Sequence, residues 1–254
     1  MSQGHLKVNS NSKLGREGRV GSFNLPAVDT CPGASELCLS HCYAKKGNFA
    51  TRSLRVSMER SLAFSRTTHF VERMVAEIHF KRPSIVRLHS SGDFYSPEYA
   101  RKWADIAAQC PGVAFCAYTR SWSMPGFNTA LRALDSNMGF NLFLSVDESM
   151  GTPPDGFRLA HMRPTLERMP DSFLCPNQVQ THRNKGKFAC KVCGARYVRG
   201  ETYQLGEKMV KPRFGSLCAV CGGKLGSIPS VTCGDCKLCY RSPGKFKHVT
   251  FAIH

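Results

Sequence analysis

The residues of this chain best equipped for chemistry are its thirteen cysteines, and their spacing sorts them into groups. "CKVCGA" at 190–195 and "CAVCGG" at 218–223 are two C-x2-C-G knuckles with 24 residues between them. A glycine after the second cysteine lets the chain turn tightly and aim backbone N–H groups at sulfur. Two such knuckles supply the four thiolates of a tetrahedral zinc ribbon, which makes Cys190, Cys193, Cys218 and Cys221 zinc ligands. "TCGDCKLCY" contributes Cys233, Cys236 and Cys239 as C-x2-C-x2-C, and Cys175 in "FLCPNQ" is the natural fourth member of that set. Four thiolates so arranged suit a [4Fe–4S] cluster or zinc, with His248 or His254 able to replace one ligand.

The stretch "TCPGASELCLSHCYAKKG" offers only three cysteines, Cys31, Cys38 and Cys42. A closed structural site takes four protein ligands, whereas a site with three keeps one coordination position for a substrate or cofactor. Two readings stand at this point. Either the loop holds an open metal–sulfur centre, or His41 or a residue from elsewhere completes a structural zinc site. Cys110 ends a helical run and Cys116 lies inside a strand-like run, so both read as buried core residues.

Residues 19–175 must position these groups, and they alternate strand-like and helix-like runs as a parallel α/β sheet does. The expected strands are "RVGSFNLPA", "SIVRLHS", "VAFCAYT", "NLFLSV", "FRLAHM" and "DSFLC". Between the first two, Leu54, Met58, Leu62, Phe70, Met74, Val75 and Ile78 keep a helical period that breaks near Thr67-Thr68. "SPEYARKWADIAAQC" predicts a helix capped by Ser96 with Pro97 at its first position, and "FNTALRALDS" predicts another. The expected architecture is a partial (β/α)6 barrel-like core with ligands at the carboxyl ends of its strands. Residues 176–254 then form a cysteine-rich metal module containing an inserted zinc ribbon at about 187–226 and a second cysteine cluster at 233–239.

Residues 1–18 are polar and basic, which reads as a disordered arm without a secretory signal. No apolar run approaches the roughly 20 residues of a membrane span. Many cysteines and no signal peptide argue for metal binding in a reducing cytoplasm over a disulfide framework. Lys and Arg outnumber Asp and Glu by 35 to 18, a formal +17 that each four-thiolate zinc site lowers by about 2. Such a surface suits a polyanion, and nucleic acid, DNA or RNA, is the expected partner.

A strand leading into a three-cysteine loop whose last cysteine precedes an aromatic residue, on a (β/α)6 core, resembles the radical S-adenosylmethionine enzymes. That resemblance implies a [4Fe–4S] cluster on Cys31, Cys38 and Cys42, with S-adenosylmethionine bound at its fourth iron. The loop here is C-x6-C-x3-C where those enzymes have C-x3-C-x2-C. Over most of residues 20–254, "FNLPAVDTCPGASELCLSHCYA", "HSSGDFYSPEYARKWADIAAQCPGVAFCAYTRSW" and "CPNQ…CGDCKLCY…VTFAIH" resemble the phage "gene product 88" family, with the ribbon as an addition. A phage origin would place the chain in a host cytoplasm.

The resemblance to radical enzymes assigns roles along the strand ends. His89, Ser91, Gly92 and Asp93 in "HSSGDF" would line the cofactor, with Gly92 allowing close backbone approach and Asp93 pairing with its ammonium. Arg120 in "YTRSW" would pair with a carboxylate or phosphate, and Trp122 would stack on a base. Ser145 and Asp147 in "SVDES" would reach ribose hydroxyls. Asp93, Arg120 and Asp147 are thus the catalytic candidates, and their plain alternatives are a loop cap and a structural ion pair. Two other functions compete with a radical enzyme acting on nucleic acid. One is a zinc-dependent nucleic-acid-binding protein without catalysis. The other is a base-exchange enzyme similar to tRNA-guanine transglycosylases, with Asp93 or Asp147 as nucleophile and Ser90 standing where the acid is expected.

Overall fold

Six short runs, mostly apolar at the sheet's centre as buried parallel strands require, become β2 (Val20–Phe23), β3 (Ile85–Leu88), β4 (Ala114–Thr119), β5 (Phe140–Val146), β6 (Arg158–Arg163) and β7 (Ser172–Leu174). The structure, a computed structural model, describes residues 4–8, 19–165, 167–176, 178–179, 184, 187–228, 239 and 247–252. Two further strands join these six: β1 (Lys7–Val8) pairs antiparallel with β2, and β13 (His248–Ala252) lies between β6 and β7. The sheet order is β1-β2-β3-β4-β5-β6-β13-β7, and every pairing from β2 onward is parallel. Register sets Phe23 opposite Leu88, Arg87 opposite Cys116, and Tyr118 opposite Phe143.

Three crossovers are helical. The first carries α1 (Glu36–Ser40), α2 (Arg52–Ser65) and α3 (Phe70–Lys81), the second α4 (Pro97–Ala108), and the third α5 (Phe127–Asp135). The break between α2 and α3 falls at the expected threonines, and Ser96 caps α4 by accepting the Tyr99 amide. The full (β/α)6 repeat is not reached. Among the described residues no helix joins β5 to β6 or β6 to β7. The first of these links, "SMGTPPDG", has two prolines and two glycines, which remove helical donors and raise the entropy of a helix. The core is therefore a mixed α/β layer pair built on a parallel sheet whose edges are β1 and β7.

Strand alternation divides the sheet's side chains into two clusters. Val86, Leu88, Phe115, Ala117, Leu142 and Leu144 face the helices, where Phe70, Trp103, Ile106 and Leu131 pack on them. Val20, Ile85, Cys116, Phe143, Ala160 and Val249 form the second cluster on the opposite face. The segment read as a disordered arm takes part in the first: Leu6 is fully buried, and Glu77 accepts the amides of His5 and Leu6 at 3.1 and 2.9 Å. Residues 1–3 and 9–18 of that segment lie outside the described residues.

The chain divides into two compact units, one of Met1–Cys175 with Thr232–His254 and the other of Pro176–Val231. The second unit holds a three-stranded antiparallel sheet of β8 (Lys187–Cys190), β9 (Arg196–Val198) and β12 (Leu225–Ser227), and a hairpin of β10 (Tyr203–Leu205) with β11 (Lys208–Val210). Among the described residues its core is small, consisting of Phe188, Cys190, Cys218 and Leu225 with Ala195, Tyr197 and Tyr203 against it. No described helix is long and apolar enough to cross a membrane.

Candidate metal centre

The second unit gathers Cys190, Cys193, Cys218 and Cys221 so that their sulfurs all lie within 4.8 Å of one another. Cys190 Sγ is 3.4 Å from Cys221 Sγ, and Cys193 Sγ is 3.6 Å from Cys218 Sγ. A tetrahedral ion with metal–sulfur bonds of about 2.3 Å needs sulfurs about 3.8 Å apart. The two glycines behave as their position demands: Gly194 and Gly222 have φ of 77° and 70°, and their amides close onto the carbonyls of Cys190 and Cys218. Each turn also aims an amide at sulfur, Val192 at Cys190 and Val220 at Cys218, both at 3.4 Å. Burial would raise the Cys218 thiol, but the Tyr197 hydroxyl at 3.1 Å and two knuckle amides bring it down to about 6. These donors favour the thiolate that a metal needs. The set can hold a metal ion.

In the first unit the three-cysteine loop leaves β2 and is fastened to the ends of the next three strands. Ser91 at the end of β3 donates its hydroxyl to the Leu25 carbonyl (2.8 Å) and accepts the Leu25 amide on its own carbonyl (3.0 Å). Gly92, with φ of 82°, allows this closeness, because a Cβ there would stand 2.6 Å from Thr30 Oγ1 and 2.7 Å from Leu25 Cβ. Gly33 rests on the end of β4, where a Cβ would come within 2.1 Å of the Arg120 carbonyl oxygen. Ser35 caps α1 by accepting the Cys38 amide (3.1 Å) and donates to Asp147 Oδ2 (2.7 Å) at the end of β5. Tyr43, directly after Cys42, has a largely exposed ring, while its hydroxyl donates to the Ser90 carbonyl. The six residues between Cys31 and Cys38 therefore include the two contacts, Gly33 and Ser35, that dock the loop on β4 and β5.

Replacing Gly33 tests that docking. Gly33→Ala is expected to destabilise the first unit by about 1–3 kcal/mol, the usual cost of overpacking, because a backbone carbonyl cannot step aside as a side chain would. Thermal denaturation followed by far-ultraviolet circular dichroism, with Gly151→Ala as control at a site with no atom within 4 Å, reads the difference.

Asp93, Arg120 and Asp147 do meet at this rim, and they meet each other. Asp93 is buried, and its carboxylate accepts the Arg120 amide (2.8 Å) and the Phe94 amide (2.7 Å). Burial raises its pKa to about 6, against the hydrogen bonds from Thr119, Arg120, Phe94 and Ser121 that lower it. Arg120 Nη1 lies 2.5 Å from Asp147 Oδ2 with both side chains almost wholly buried, so the structural ion pair is the arrangement seen. The same guanidinium reaches Ser35 Oγ at 3.2 Å and the thioethers of Met150 and Met162 at 2.8 and 2.7 Å. Burial alone would raise Asp147, but hydrogen bonds from Ser149, Ser35 and Arg120 hold it near 2.

Two further candidates, His89 and Ser145, sit beside the core. His89 has φ of 56°, its ring faces Phe94 and Tyr99 in the helix-side core, and burial with the nearby Arg87 charge lowers its pKa to about 3, keeping it neutral. Ser145 uses its carbonyl to accept the Trp122 indole N–H (2.8 Å), so that ring packs against the core.

The thiols of the loop feel one another. Burial, Asp93, Cys38 and Cys42 together push Cys31 up to about 12, and burial raises Cys38 while the Arg120 charge opposes it. As free thiols Cys31 and Cys38 are protonated, and metal binding is what would ionise them. They do not gather as tightly as the ribbon set, which among the described residues is the one group of three or more ligand atoms within 4.8 Å. His41 is exposed, and its Nδ1 is engaged with Ser40 Oγ (3.0 Å) and the Leu37 carbonyl (3.2 Å).

Of the further cysteine group, Cys175 follows β7 with its amide on the Thr250 carbonyl (3.1 Å), and Cys239 packs on the second sheet face. Cys233, Cys236 and His254 lie outside the described residues. His248 Nδ1 accepts the Leu159 amide at 2.9 Å.

These features define a mixed α/β protein with a parallel sheet and a four-cysteine set able to hold a metal ion. The chain belongs to the "Gene product 88" family, whose profile matches residues 3–242. The Gene 88 protein of Mycobacterium phage L5 is 28% identical over 217 residues, spanning 75% of this chain and 87% of the relative. The Gene 88 protein of Mycobacterium phage D29 is 26% identical over 211 residues, with the same coverage of 75% and 87%. No solved structure matches the chain.

Proposed function

We propose that this protein is an iron–sulfur enzyme of the radical S-adenosylmethionine type, acting on nucleic acid, with zinc in its ribbon. In this reading the sheet is a partial (β/α)6-like barrel whose carboxyl rim carries the reaction site, and Cys31, Cys38 and Cys42 hold a [4Fe–4S] cluster. One observation carries it. Three partly exposed thiols are locked onto the ends of β3, β4 and β5, and among the described residues no His, Asp or Glu completes a compact ligand set with them. A cluster spreads its thiolates over several irons and so suits sulfurs set wider apart than a single ion allows. When bound, such a cluster supplies a single electron to a sulfonium cofactor.

The chain's own residues fix the site's shape. The buried Asp147–Arg120 pair and Asp93 position the loop, and they do so already satisfied, which argues against either carboxylate as a base-exchange nucleophile. The nucleic-acid assignment is supported by an open cleft of about 770 Å³ in the second unit, lined by Lys208, Met209, Lys211, Arg213, Phe214 and Leu217. Exposed Phe214 among cations can stack on a base while the cations neutralise phosphates, and exposed Met209 adds apolar contact.

The test is spectroscopic. In anaerobically reconstituted, reduced protein, adding S-adenosylmethionine is expected to shift the electron paramagnetic resonance spectrum of the cluster. An iron-loaded protein whose spectrum ignores the cofactor contradicts the enzyme assignment, and a protein holding zinc alone favours the non-catalytic nucleic-acid binder.

A further inference from the structure

Cys116 sits at the middle of β4, fully buried, and sequence pattern alone makes it an ordinary core residue. Its surroundings say otherwise. Register places it beside Arg87 on β3, whose Nη1 is 3.7 Å from Cys116 Sγ. The same guanidinium lies 4.0 Å from the centroid of the Tyr118 ring. Tyr118 in turn hydrogen-bonds to the Cys239 sulfur, and Cys239 has both Cys116 and Cys175 as electrostatic neighbours. Val20, Ile85, Phe143, Val249 and Phe251 supply apolar walls on this face.

We propose that Cys116 is a thiolate ligand of a second iron–sulfur centre on the sheet face opposite the helices, shared with Cys175 and Cys239. The inference deepens the iron–sulfur reading and rests on it only for the choice of iron. Cysteines that merely fill a core need no cation beside sulfur, as Cys116 has in Arg87, and no hydroxyl donor, as Cys239 has in Tyr118. A bound thiolate gains from both, because such outer partners orient the ligands and offset their charge. A single tetrahedral ion would need its sulfurs within about 4 Å of one another, and these three are not a group within 4.8 Å, so the centre proposed is polynuclear. Cys110 provides the contrast, since it is buried in the helix-side cluster away from this face.

The experiment uses the full chain carrying Cys31→Ala, Cys38→Ala and Cys42→Ala, reconstituted anaerobically with iron and sulfide, so that the loop centre is absent. About four irons per chain are expected to remain. Adding Cys116→Ser or Cys116→Val should remove at least half of that iron and leave the ribbon's metal unchanged, while Cys110→Ser should change neither. Valine suits a strand interior and guards against a folding artefact. In the chain with Cys116 intact, carbon-labelled cysteine should add a paramagnetically shifted β-carbon signal assignable to Cys116, which reads the ligand without substituting it. Retention of iron in both Cys116 variants, or no shifted Cys116 signal, overturns the proposal. So does a triple variant that binds no iron, and that result leaves the loop reading intact. A triple variant that keeps all the wild-type iron sinks the loop reading alone.

Discussion

Removing the ribbon's metal is expected to unfold Pro176–Val231 and leave the parallel sheet standing. Among the described residues the unit's apolar core comprises Phe188, Cys190, Cys218 and Leu225 with Ala195, Tyr197 and Tyr203 against them, too little to offset the entropy of ordering a module of this size. Structural zinc in comparable small modules contributes about 10–16 kcal/mol at neutral pH, so the apo module has no stable fold of its own. With zinc in the ribbon as proposed, Cys190→Ser should lower bound zinc by about one ion per chain and open Lys187, Lys191, Arg196 and Arg199 to trypsin. Limited proteolysis with mass spectrometry checks this. The same variant should leave the thermal transition of the first unit in place, because that unit has its own core around Trp103 and Phe70.

Arg120→Ala is expected to cost the first unit about 3–5 kcal/mol, the usual penalty for stranding one member of a buried ion pair. Asp147 would keep its hydrogen bonds from Ser35 and Ser149 but lose the guanidinium 2.5 Å away. The pH dependence has a definite sign. Asp147 in the folded protein titrates near 2, below its ordinary 3.8, so its stabilising contribution is present above about pH 4 and fades as pH falls toward 2. The deficit of Arg120→Ala should consequently shrink over that window, because a protonated Asp147 needs no cation. Denaturant titrations at pH 7 and pH 3 compare the two. A deficit that stays constant with pH would mean that lost packing against Met150 and Met162, and not the charge, sets the cost.

Strands β2 to β5 were legible because each is a short, largely apolar run closed by turn residues, β6 and β7 showed a fainter form of the same pattern, and α4 was legible because Ser96 and Pro97 announce its start. β1 and β13 were not. A two-residue pairing inside a basic segment, and a strand that returns after a whole inserted unit to lie between β6 and β7, are products of long-range pairing that leave no local period. The ribbon could be read outright, since its knuckle spacing alone dictates the turns. Asp93, Arg120 and Asp147 lie together at the rim, but sequence could not say that they satisfy each other. Gly33 and Ser35 went unread because their roles lie in the Arg120 carbonyl just past β4 and the Asp147 carboxylate just past β5. The one signal was Ser35 three residues before Cys38, an N-cap spacing. Alternation put Cys116 inside the sheet but could not reveal that Arg87, Tyr118 and Cys239 share its face.

The most direct measurement is iron per chain after anaerobic reconstitution, taken for the unaltered protein and for the Cys31→Ala, Cys38→Ala, Cys42→Ala variant with zinc counted in parallel. The loop centre predicts a loss of about four irons in the variant with zinc unchanged. Equal iron in both proteins, or zinc as the metal lost from the variant, contradicts it.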